Sequence, residues 1–191
     1  MHPFFAYISR MRYISRWGLM RNTERENIQE HSHMVAILAH ALCVIRNELF
    51  GGEIDPGRVA VLALYHDAAE IFTGDLPTPV KYQTPEILEA YRTVEAGAER
   101  RLLAMLPEEL CRAYAGILSP GDDAAEAIIK AADKLAAHIK CLEELKAGNT
   151  EFRIAAAQTR GALEAMALPE LSYFIEHLLP PFALTLDELN H

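Results

Sequence analysis

The segment from Val61 to Tyr82 constrains the fold of this chain most, because an apolar pattern in it ends abruptly on polar residues. Its first part, VLALY, has the nearly continuous apolar side chains of a helix with a buried face. His66 and Asp67 end that helix, where a carboxylate meets the negative end of the helix dipole. A bound divalent cation would compensate for this charge. The segment therefore predicts a helical protein with a metal site at the end of a helix.

The residues that follow add further polar groups close to this pair. Glu70 comes about one helical turn later. A glycine and two prolines around Asp75 then predict a rigid loop from Thr73 to Tyr82. This loop presents Thr78 and Lys81 on a stiff support near the predicted metal site.

Two other helical patterns carry candidate partners for the His-Asp pair. His31 lies in a long pattern from Ile28 to about Leu49, and Asp133 lies in another pattern later in the chain. Both are flanked by apolar positions that are expected to face a core. Alternatively, His31 is an ordinary core histidine, and Asp133 is a buried carboxylate paired with Lys130 or Lys134.

An irregular segment, ISRWGLMRNTERENIQE, separates the N-terminal helical pattern from the pattern that contains His31. One interpretation is structural: Trp17 is a core aromatic and the arginines lie in a solvated loop. The other interpretation is functional, because an arginine such as Arg16 can bind a phosphate through two nitrogens while an adjacent aromatic ring walls a sugar.

Composition limits the class of protein and its partners. A chain of 191 residues is long enough for one domain with a sizeable core, and its abundance of alanine and leucine favours helices. The net charge of −9 argues against binding of polymeric nucleic acid through a basic surface. No apolar run approaches the roughly 20 residues that span a bilayer, so no membrane association is expected. The absence of a signal pattern and the three scattered cysteines, Cys43, Cys111 and Cys141, predict a cytoplasmic protein with free thiols.

The ordered set of His31, His66-Asp67 and Asp133 on three helices resembles the HD-domain metal phosphohydrolases. Four segments, FFAYISRMRYISRWGLMRN, ENIQEHS, YHDAAEIFTGDLPTPVKY and KAADKLAAHIKCLEEL, resemble one bacterial group of that superfamily, the YfbR-like 5'-deoxyribonucleotidases. The resemblance runs from Phe4 to about Glu188. It implies an all-α, HD-domain helical bundle with a single domain over residues 1–191. The metal-site core would span about 28–147, and the C-terminal helices of 150–191 would pack onto it.

The resemblance also implies the residues of the site. The metal ligands it implies are His31, His66, Asp67 and Asp133. The substrate-binding residues it implies are Arg16, Trp17, His31, Asp67, Asp75, Leu76, Pro77, Thr78 and Asp133. The implied substrate is a deoxyribonucleoside 5'-monophosphate, with ribose excluded by close packing of Trp17 and the loop, and the implied assembly is a homodimer.

Two imidazoles and two carboxylates form a donor set that suits cobalt, manganese or a similar transition metal better than calcium. One divalent metal is expected, because HD proteins with two metals add histidines before the last aspartate and none lies between His66 and His138. In the expected phosphomonoesterase reaction, Glu70 orients or deprotonates the attacking water. Asp75 protonates the departing 5'-oxygen or holds the substrate. Arg16 stabilises the charge on the phosphoryl oxygens.

Three alternatives remain at the level of sequence. Two are other HD activities, a nucleoside triphosphate triphosphohydrolase and a phosphodiesterase. The third is a non-catalytic helical module that binds a nucleotide or a protein. The sequence leaves open the physiological metal, the preferred base, the oligomeric state and the division of roles between Glu70 and Asp75.

Overall fold

A computed structural model of the chain describes residues 1–190. In this range the protein is helical, and its extended pairing is limited to an isolated antiparallel bridge between Ser15 and Asn27. This confirms the predicted all-α fold class. The α-helices are α1 (Phe4–Ile8), α2 (Ile28–Phe50), α3 (Pro56–Tyr65), α4 (Glu70–Thr73), α5 (Thr78–Lys81), α6 (Pro85–Leu103), α7 (Glu108–Leu118), α8 (Asp123–Lys146), α9 (Arg153–Ala165) and α10 (Pro169–His177). Short 3-10 helices cover Ser9–Tyr13, Thr150–Phe152, Pro180–Ala183 and Glu188–Asn190.

Capping side chains set two helix starts that the sequence predicts, because Asp55 and Thr84 each precede a proline at a first helical position. The Asp55 carboxylate accepts a hydrogen bond from the Arg58 backbone N–H at 3.0 Å, directly before α3. Thr84 caps α6 by accepting from the Ile87 N–H at 3.3 Å. These bonds satisfy backbone donors that have no partner within the first turn of a helix.

The structure corrects three local predictions. The segment from Thr73 to Tyr82 is not loop throughout, because α5 forms within it. Pro79 is the second residue of α5, where a missing N–H leaves no helical hydrogen bond unmade. Asp123 with Glu126 is predicted from the sequence to form a capping box at the start of α8. The cap is instead Asp122, whose side chain accepts from the Ala125 N–H at 3.2 Å. The N-terminal helix predicted over residues 3–13 is split into α1 and the 3-10 helix that follows it.

The described residues form two compact units. The first contains Met1–Arg21, Arg25–His33 and Leu64–Gly121. The second contains Asn22–Glu24, Met34–Ala63 and the described chain from Asp122 onward. The single HD domain over the whole chain stays a prediction.

The first unit has its own aromatic and aliphatic core. Helix α6 packs against α1, α4, α5 and α7. Phe4, Ala68, Leu102, Leu106 and Leu118 are the buried members of this core. Because Ala68 directly follows Asp67, burial of its methyl group fixes the turn that carries the His-Asp pair.

In the second unit, α8 packs along α9 and contacts the two 3-10 helices Thr150–Phe152 and Pro180–Ala183. Leu135 of α8 and Leu163 of α9 are almost completely buried. The three cysteines of the chain are free thiols, as predicted.

Helix α2 corrects the expectation about membrane-spanning length. It has 23 residues, and an 18-residue stretch of it has a mean hydropathy of 1.3, so length and composition alone allow a span. Val35 and Leu42 are buried inside the protein, whereas His33 and His40 are exposed. A buried apolar face is typical of a core helix, and the outer face of α2 carries these histidines together with the exposed Ile37 and Val44.

Candidate metal and phosphate site

The turn after α3 holds the His-Asp pair. The helix ends at Tyr65, whose carbonyl accepts from the Ala68 N–H at 2.9 Å. The Asp67 carbonyl then accepts from the Glu70 N–H at 3.0 Å, where α4 begins. Ala68 and Ala69 are buried in this turn, so His66 and Asp67 lie on its other, polar side.

His31 is placed by the start of α2. The Asn27 side chain accepts from the N–H groups of Gln29 and Glu30, each at 3.0 Å. The Glu30 carboxylate in turn accepts from the Asn27 N–H at 3.3 Å, which completes a reciprocal cap. His31 follows on the first turn and is completely buried, so its imidazole has a fixed position.

These elements bring His31, His66 and Asp67 together in the first unit. Asp67 Oδ2 lies 3.2 Å from His66 Nε2 and 3.7 Å from His31 Nε2. The two imidazole rings are 5.5 Å apart between centroids, and a nitrogen of one lies within 4.8 Å of a nitrogen of the other. Two imidazole nitrogens and a carboxylate oxygen that converge on one region are a donor set that fits a divalent transition metal.

Arg16 adds a positive charge to this cluster. Its Nη1 lies 3.6 Å from Asp67 Oδ2, while its Nε donates a hydrogen bond to Glu26 Oε2 at 3.1 Å. The side chain of Arg16 is only 12% exposed, so the guanidinium is largely shielded from solvent. The interpretation of Arg16 as a solvated loop residue is therefore wrong.

Trp17 lies beside Arg16 in an uncommon backbone conformation. Its φ is +57°, which costs a residue with a side chain about 1 kcal/mol or more. The conformation directs its backbone N–H to Asp75 Oδ2 at 3.3 Å and its indole Nε1–H to Glu26 Oε2 at 3.0 Å. These two hydrogen bonds offset the strain and hold the ring next to Arg16.

Glu26 is the residue of this site that the sequence reasoning missed. One of its oxygens binds both Arg16 and Trp17, and the other lies 3.9 Å from His31 Nδ1. The available signal was a pair of acidic residues, Glu24 and Glu26, among the arginines of the irregular segment shortly before the helix that carries His31.

Asp75 reaches the site because the chain reverses after α4. Gly74 ends that helix at φ +72°, a conformation that glycine adopts without strain. Burial raises the pKa of Asp75, and the positive Arg16 opposes this only in part, so the pKa stays above its usual range. Asp75 therefore accepts a proton more readily than an exposed aspartate does.

Glu70 is the most perturbed acid of the cluster. It is 8% exposed, and its Oε2 has no hydrogen-bond partner among the described residues. Burial, followed by the charges of Asp67 and Asp75, raises the pKa of Glu70 to about 9, while Arg16 and His66 act in the opposite direction. A buried carboxyl group beside two other carboxylates is a candidate for proton transfer.

Four further residues are predicted for the site: Leu76, Pro77, Thr78 and Asp133. Leu76 and Pro77 follow Asp75 and are half-buried, and Thr78 is exposed at the start of α5. Asp133 is half-buried on α8 in the second unit. Lys130, one alternative partner for Asp133, lies 3.6 Å from Glu126. The roles of these four residues stay predictions.

Comparison with solved structures gives the class of protein. The protein is similar to an HD-domain phosphohydrolase from Listeria innocua, with a TM-score of 0.83 and 25% sequence identity over 95% of this chain and 88% of that one. The all-α fold is thus that of an HD-domain phosphohydrolase.

Comparison of sequences narrows this class to one family. The family described as 5'-deoxynucleotidase YfbR-like matches residues 3–182. The 5'-deoxynucleotidase of Vibrio parahaemolyticus is 49% identical over 98% of this chain and 97% of its own length. The 5'-deoxynucleotidase YfbR of Escherichia coli is 47% identical over 98% of this chain and 95% of its own. The chain belongs to the YfbR-like 5'-deoxynucleotidase family.

Family membership confirms the predicted resemblance and the predicted enzyme class, a 5'-deoxynucleotidase that hydrolyses phosphomonoesters. It also favours this activity over a triphosphohydrolase, a phosphodiesterase or a non-catalytic module.

Proposed function

We propose that the protein releases phosphate from deoxyribonucleoside 5'-monophosphates and discriminates against the corresponding ribonucleotides. One observation carries this proposal: Arg16 and Trp17 are fixed side by side, with the guanidinium next to the cluster of His31, His66 and Asp67. One small substrate can thus meet a group that binds phosphate, a flat apolar ring and a set of metal donors.

The proposed metal ligands are His31, His66 and Asp67 of the first unit and Asp133 of α8. The proposed metal is one divalent transition ion, cobalt, manganese or a similar one, which this nitrogen and oxygen donor set suits. When bound, such an ion supplies Lewis-acid chemistry that polarises the phosphoryl group and makes water a better nucleophile.

Arg16 is proposed to hold the phosphate and to stabilise the charge that develops on it. Nε is engaged by Glu26, and the terminal nitrogen Nη1 of the guanidinium lies 3.6 Å from Asp67 Oδ2. Two parallel N–H groups match the geometry of two phosphate oxygens. This contact strengthens as negative charge builds up on those oxygens in the transition state.

Glu70 and Asp75 are proposed to move the protons of the reaction. The pKa of Glu70, about 9 in the absence of a cation, falls when positive charge is bound nearby, because that charge favours the carboxylate. Glu70 then accepts a proton from the attacking water in the neutral range. Asp75, with its raised pKa, is available to protonate the departing 5'-oxygen or to hold the sugar.

Trp17, Leu76, Pro77 and Thr78 are proposed to contact the deoxyribose. Trp17 and Asp75 are joined by a hydrogen bond, so the ring and the residues that follow Asp75 form two neighbouring surfaces. A sugar that packs closely between them at C2' leaves no room for a hydroxyl group, which is the proposed basis for excluding ribose.

Product analysis tests the reaction class. The metal-loaded protein is incubated with dAMP, dATP and a phosphodiester, and inorganic phosphate, pyrophosphate and triphosphate are separated. Phosphate from dAMP as the dominant product supports the proposal. Triphosphate from dATP, or cleavage of the diester in preference to dAMP, would contradict it. Asp67→Ala serves as the control for contaminating phosphatase.

The assembly and location of the protein are also proposals. A homodimer in the cytoplasm is proposed, without binding to polymeric nucleic acid or to membranes. The exposed apolar side chains Ile37 and Val44 of α2 and Val61 of α3 are available for contact between copies. Light scattering of the purified protein tests the dimer, and a monomer at micromolar concentration would contradict it.

A further inference from the structure

Glu26 lies against three residues of the site, Arg16, Trp17 and His31. Its Oε2 accepts from Arg16 Nε at 3.1 Å and from Trp17 Nε1 at 3.0 Å. Its Oε1 lies 3.9 Å from His31 Nδ1. A single carboxylate therefore touches the two side chains proposed to bind substrate and lies close to a proposed metal ligand.

The backbone makes this arrangement specific. Ser15 pairs with Asn27, and the Arg16 N–H donates to the Glu26 carbonyl at 3.0 Å. The Ile28 N–H donates to the Ile14 carbonyl at 3.0 Å and closes the same pairing. Glu26 is thus fixed directly opposite Arg16, so its carboxylate is placed before any substrate binds.

The geometry also explains why a carboxylate is needed at this position. Arg16 Nη1 is already 3.6 Å from Asp67 Oδ2. Without a counter-charge at Nε, the guanidinium would be drawn to Asp67 and would compete with a metal for that oxygen. Glu26 provides the counter-charge and keeps the terminal nitrogens directed at the space a phosphate would occupy. Charged hydrogen bonds of this kind are shorter and stronger than neutral ones.

We infer that Glu26 is a positioning residue that sets the Arg16 guanidinium and the Trp17 indole together, and so couples recognition of the phosphate to recognition of the sugar. This inference rests on the proposed function. Glu26 acts through the other two side chains and does not contact the substrate itself.

The test compares Glu26→Gln with Glu24→Gln, which neutralises an exposed carboxylate in the same segment. Trp17 is the sole tryptophan of the chain, so intrinsic fluorescence reports on it directly. Glu26→Gln is expected to shift the emission maximum and to increase quenching by acrylamide. Glu24→Gln is expected to change neither. Both variants should melt at the temperature of the wild type, which separates loss of position from loss of fold.

Kinetics on dAMP give the second readout. Loss of a charged hydrogen bond to a group that binds substrate predicts a rise in KM of about tenfold for Glu26→Gln. A fall in kcat of about threefold to tenfold is also expected, because the contact of Arg16 with the phosphate is proposed to strengthen in the transition state. Glu26→Asp keeps the charge but has a shorter side chain, so its KM for dAMP is expected to lie between those of the wild type and Glu26→Gln. It replaces Glu26→Gln in the test if that variant does not fold.

A double-mutant cycle decides whether Glu26 acts through Arg16. In an Arg16→Lys background the effect of Glu26→Gln on KM should shrink, because the Nε donor is already gone. Additive effects, or unchanged Trp17 fluorescence in Glu26→Gln, would overturn the inference. Absence of dAMP hydrolysis by the wild type would overturn the proposed function instead, and the fluorescence comparison would still decide the placement of Trp17.

Discussion

At the scale of single residues, the site is defined by how its charges are compensated. Burial raises the pKa of Glu70 and of Asp75, the nearby Asp67 raises both further, and Arg16 is a positive group that opposes these shifts. Such a concentration of negative charge is unfavourable in a protein interior unless cations or protons neutralise it. A divalent ion at the His-Asp cluster satisfies this requirement, and without the ion a proton on Glu70 satisfies part of it.

Glu70→Gln is expected to lower kcat by about 10²- to 10⁴-fold, the usual effect of removing a group that transfers a proton. The fall in rate at low pH, which reports protonation of Glu70, should also disappear in this variant. Glu109→Gln, at an exposed position of α7, is the matched control. Near-normal turnover of Glu70→Gln would show that its proposed role is wrong.

Glu70→Gln, which is expected to lower kcat, is expected to stabilise the metal-free protein. Because the pKa of Glu70 rises from its usual value near 4.5 to about 9 on folding, the folded state holds a proton that the unfolded state releases between these values. The contribution of Glu70 to the free energy of unfolding therefore falls as the pH rises from 4.5 to about 9. At pH 8 metal-free Glu70→Gln should be more stable than the wild type by at least about 1 kcal/mol, the value of one pKa unit. Urea unfolding at pH 5 and pH 8 measures this, and an equal difference at both values would contradict it.

Arg16→Lys keeps the positive charge but removes the Nε donor and the planar fork. A lysine cannot bind Glu26 and a phosphate at the same time through fixed, parallel N–H groups. We expect kcat/KM for dAMP to fall by about 10- to 100-fold, which corresponds to roughly 1.4 to 2.7 kcal/mol. Arg25→Lys, an exposed arginine of the same segment, should leave it unchanged. An equal loss in both variants would mean that overall charge, not the position of Arg16, is what matters.

The sequence predicts which of these residue types carry chemistry but not how they are arranged. His66 and Asp67 are adjacent in sequence, and a helix that ends on them is enough to single them out. Glu26 escapes prediction because its contacts with Arg16, Trp17 and His31 depend on a short backbone pairing, and no periodicity of side chains encodes that pairing.

At the scale of elements, the buried carboxylate of Glu144 holds part of the irregular segment that precedes α2. Glu144 of α8 is 2% exposed and accepts from the backbone N–H groups of Thr23, at 2.9 Å, and Glu24, at 3.2 Å. The Lys140 Nζ donates both to Glu144 at 2.5 Å and to the Glu24 carbonyl at 2.6 Å. Asn149 adds a hydrogen bond to Glu144 at 2.8 Å. The C-terminal part of α8 thus anchors a loop of the irregular segment.

Glu144→Gln should destabilise the protein, because it leaves the Lys140 ammonium buried without its counter-charge. The expected loss is about 2–4 kcal/mol at pH 7. Burial raises the pKa of Glu144, but the hydrogen bonds from Lys140, Asn149 and Thr23 outweigh it and bring the pKa well below its usual range. The stabilisation is therefore present above about pH 4.5 and is lost as the pH falls further.

Urea unfolding at pH 7 and at pH 3 checks this prediction. The difference between the wild type and Glu144→Gln should be large at pH 7 and smaller at pH 3. Glu48→Gln, at an exposed position of α2, is the control and should behave as the wild type at both values. A difference that does not depend on pH would contradict the assignment of the charge to Glu144.

Helices are the part of the structure that the sequence predicts well. Asp55, Thr84 and the Thr185–Glu188 pair act as caps where the sequence places them. The errors arise where several signals overlap. Two aspartates in a row precede α8, and prolines around Thr78 are compatible with both a loop and the start of a helix.

At the scale of the whole molecule, the chain combines a net charge of −9 with a site in which Arg16 lies among three carboxylates. Its family is shown over residues 3–182, which is nearly the full length. The pattern of helices predicts the all-α class, whereas the family resemblance supplies the substrate class, which periodicity and charge do not encode. The metal, by contrast, can be predicted from chemistry, because converging imidazoles and carboxylates have few other uses in a buried cluster.

One measurement tests this account most directly: phosphate release from dAMP and from AMP after metal has been removed, with cobalt, manganese, magnesium or zinc then added back singly. The account predicts no release without metal, release from dAMP with a transition metal, much less release from AMP, and none from Asp67→Ala. Release that persists without metal, or in Asp67→Ala, would contradict the proposed centre. Equal release from dAMP and AMP would contradict the proposed role of Trp17 and the loop after Asp75 in excluding ribose.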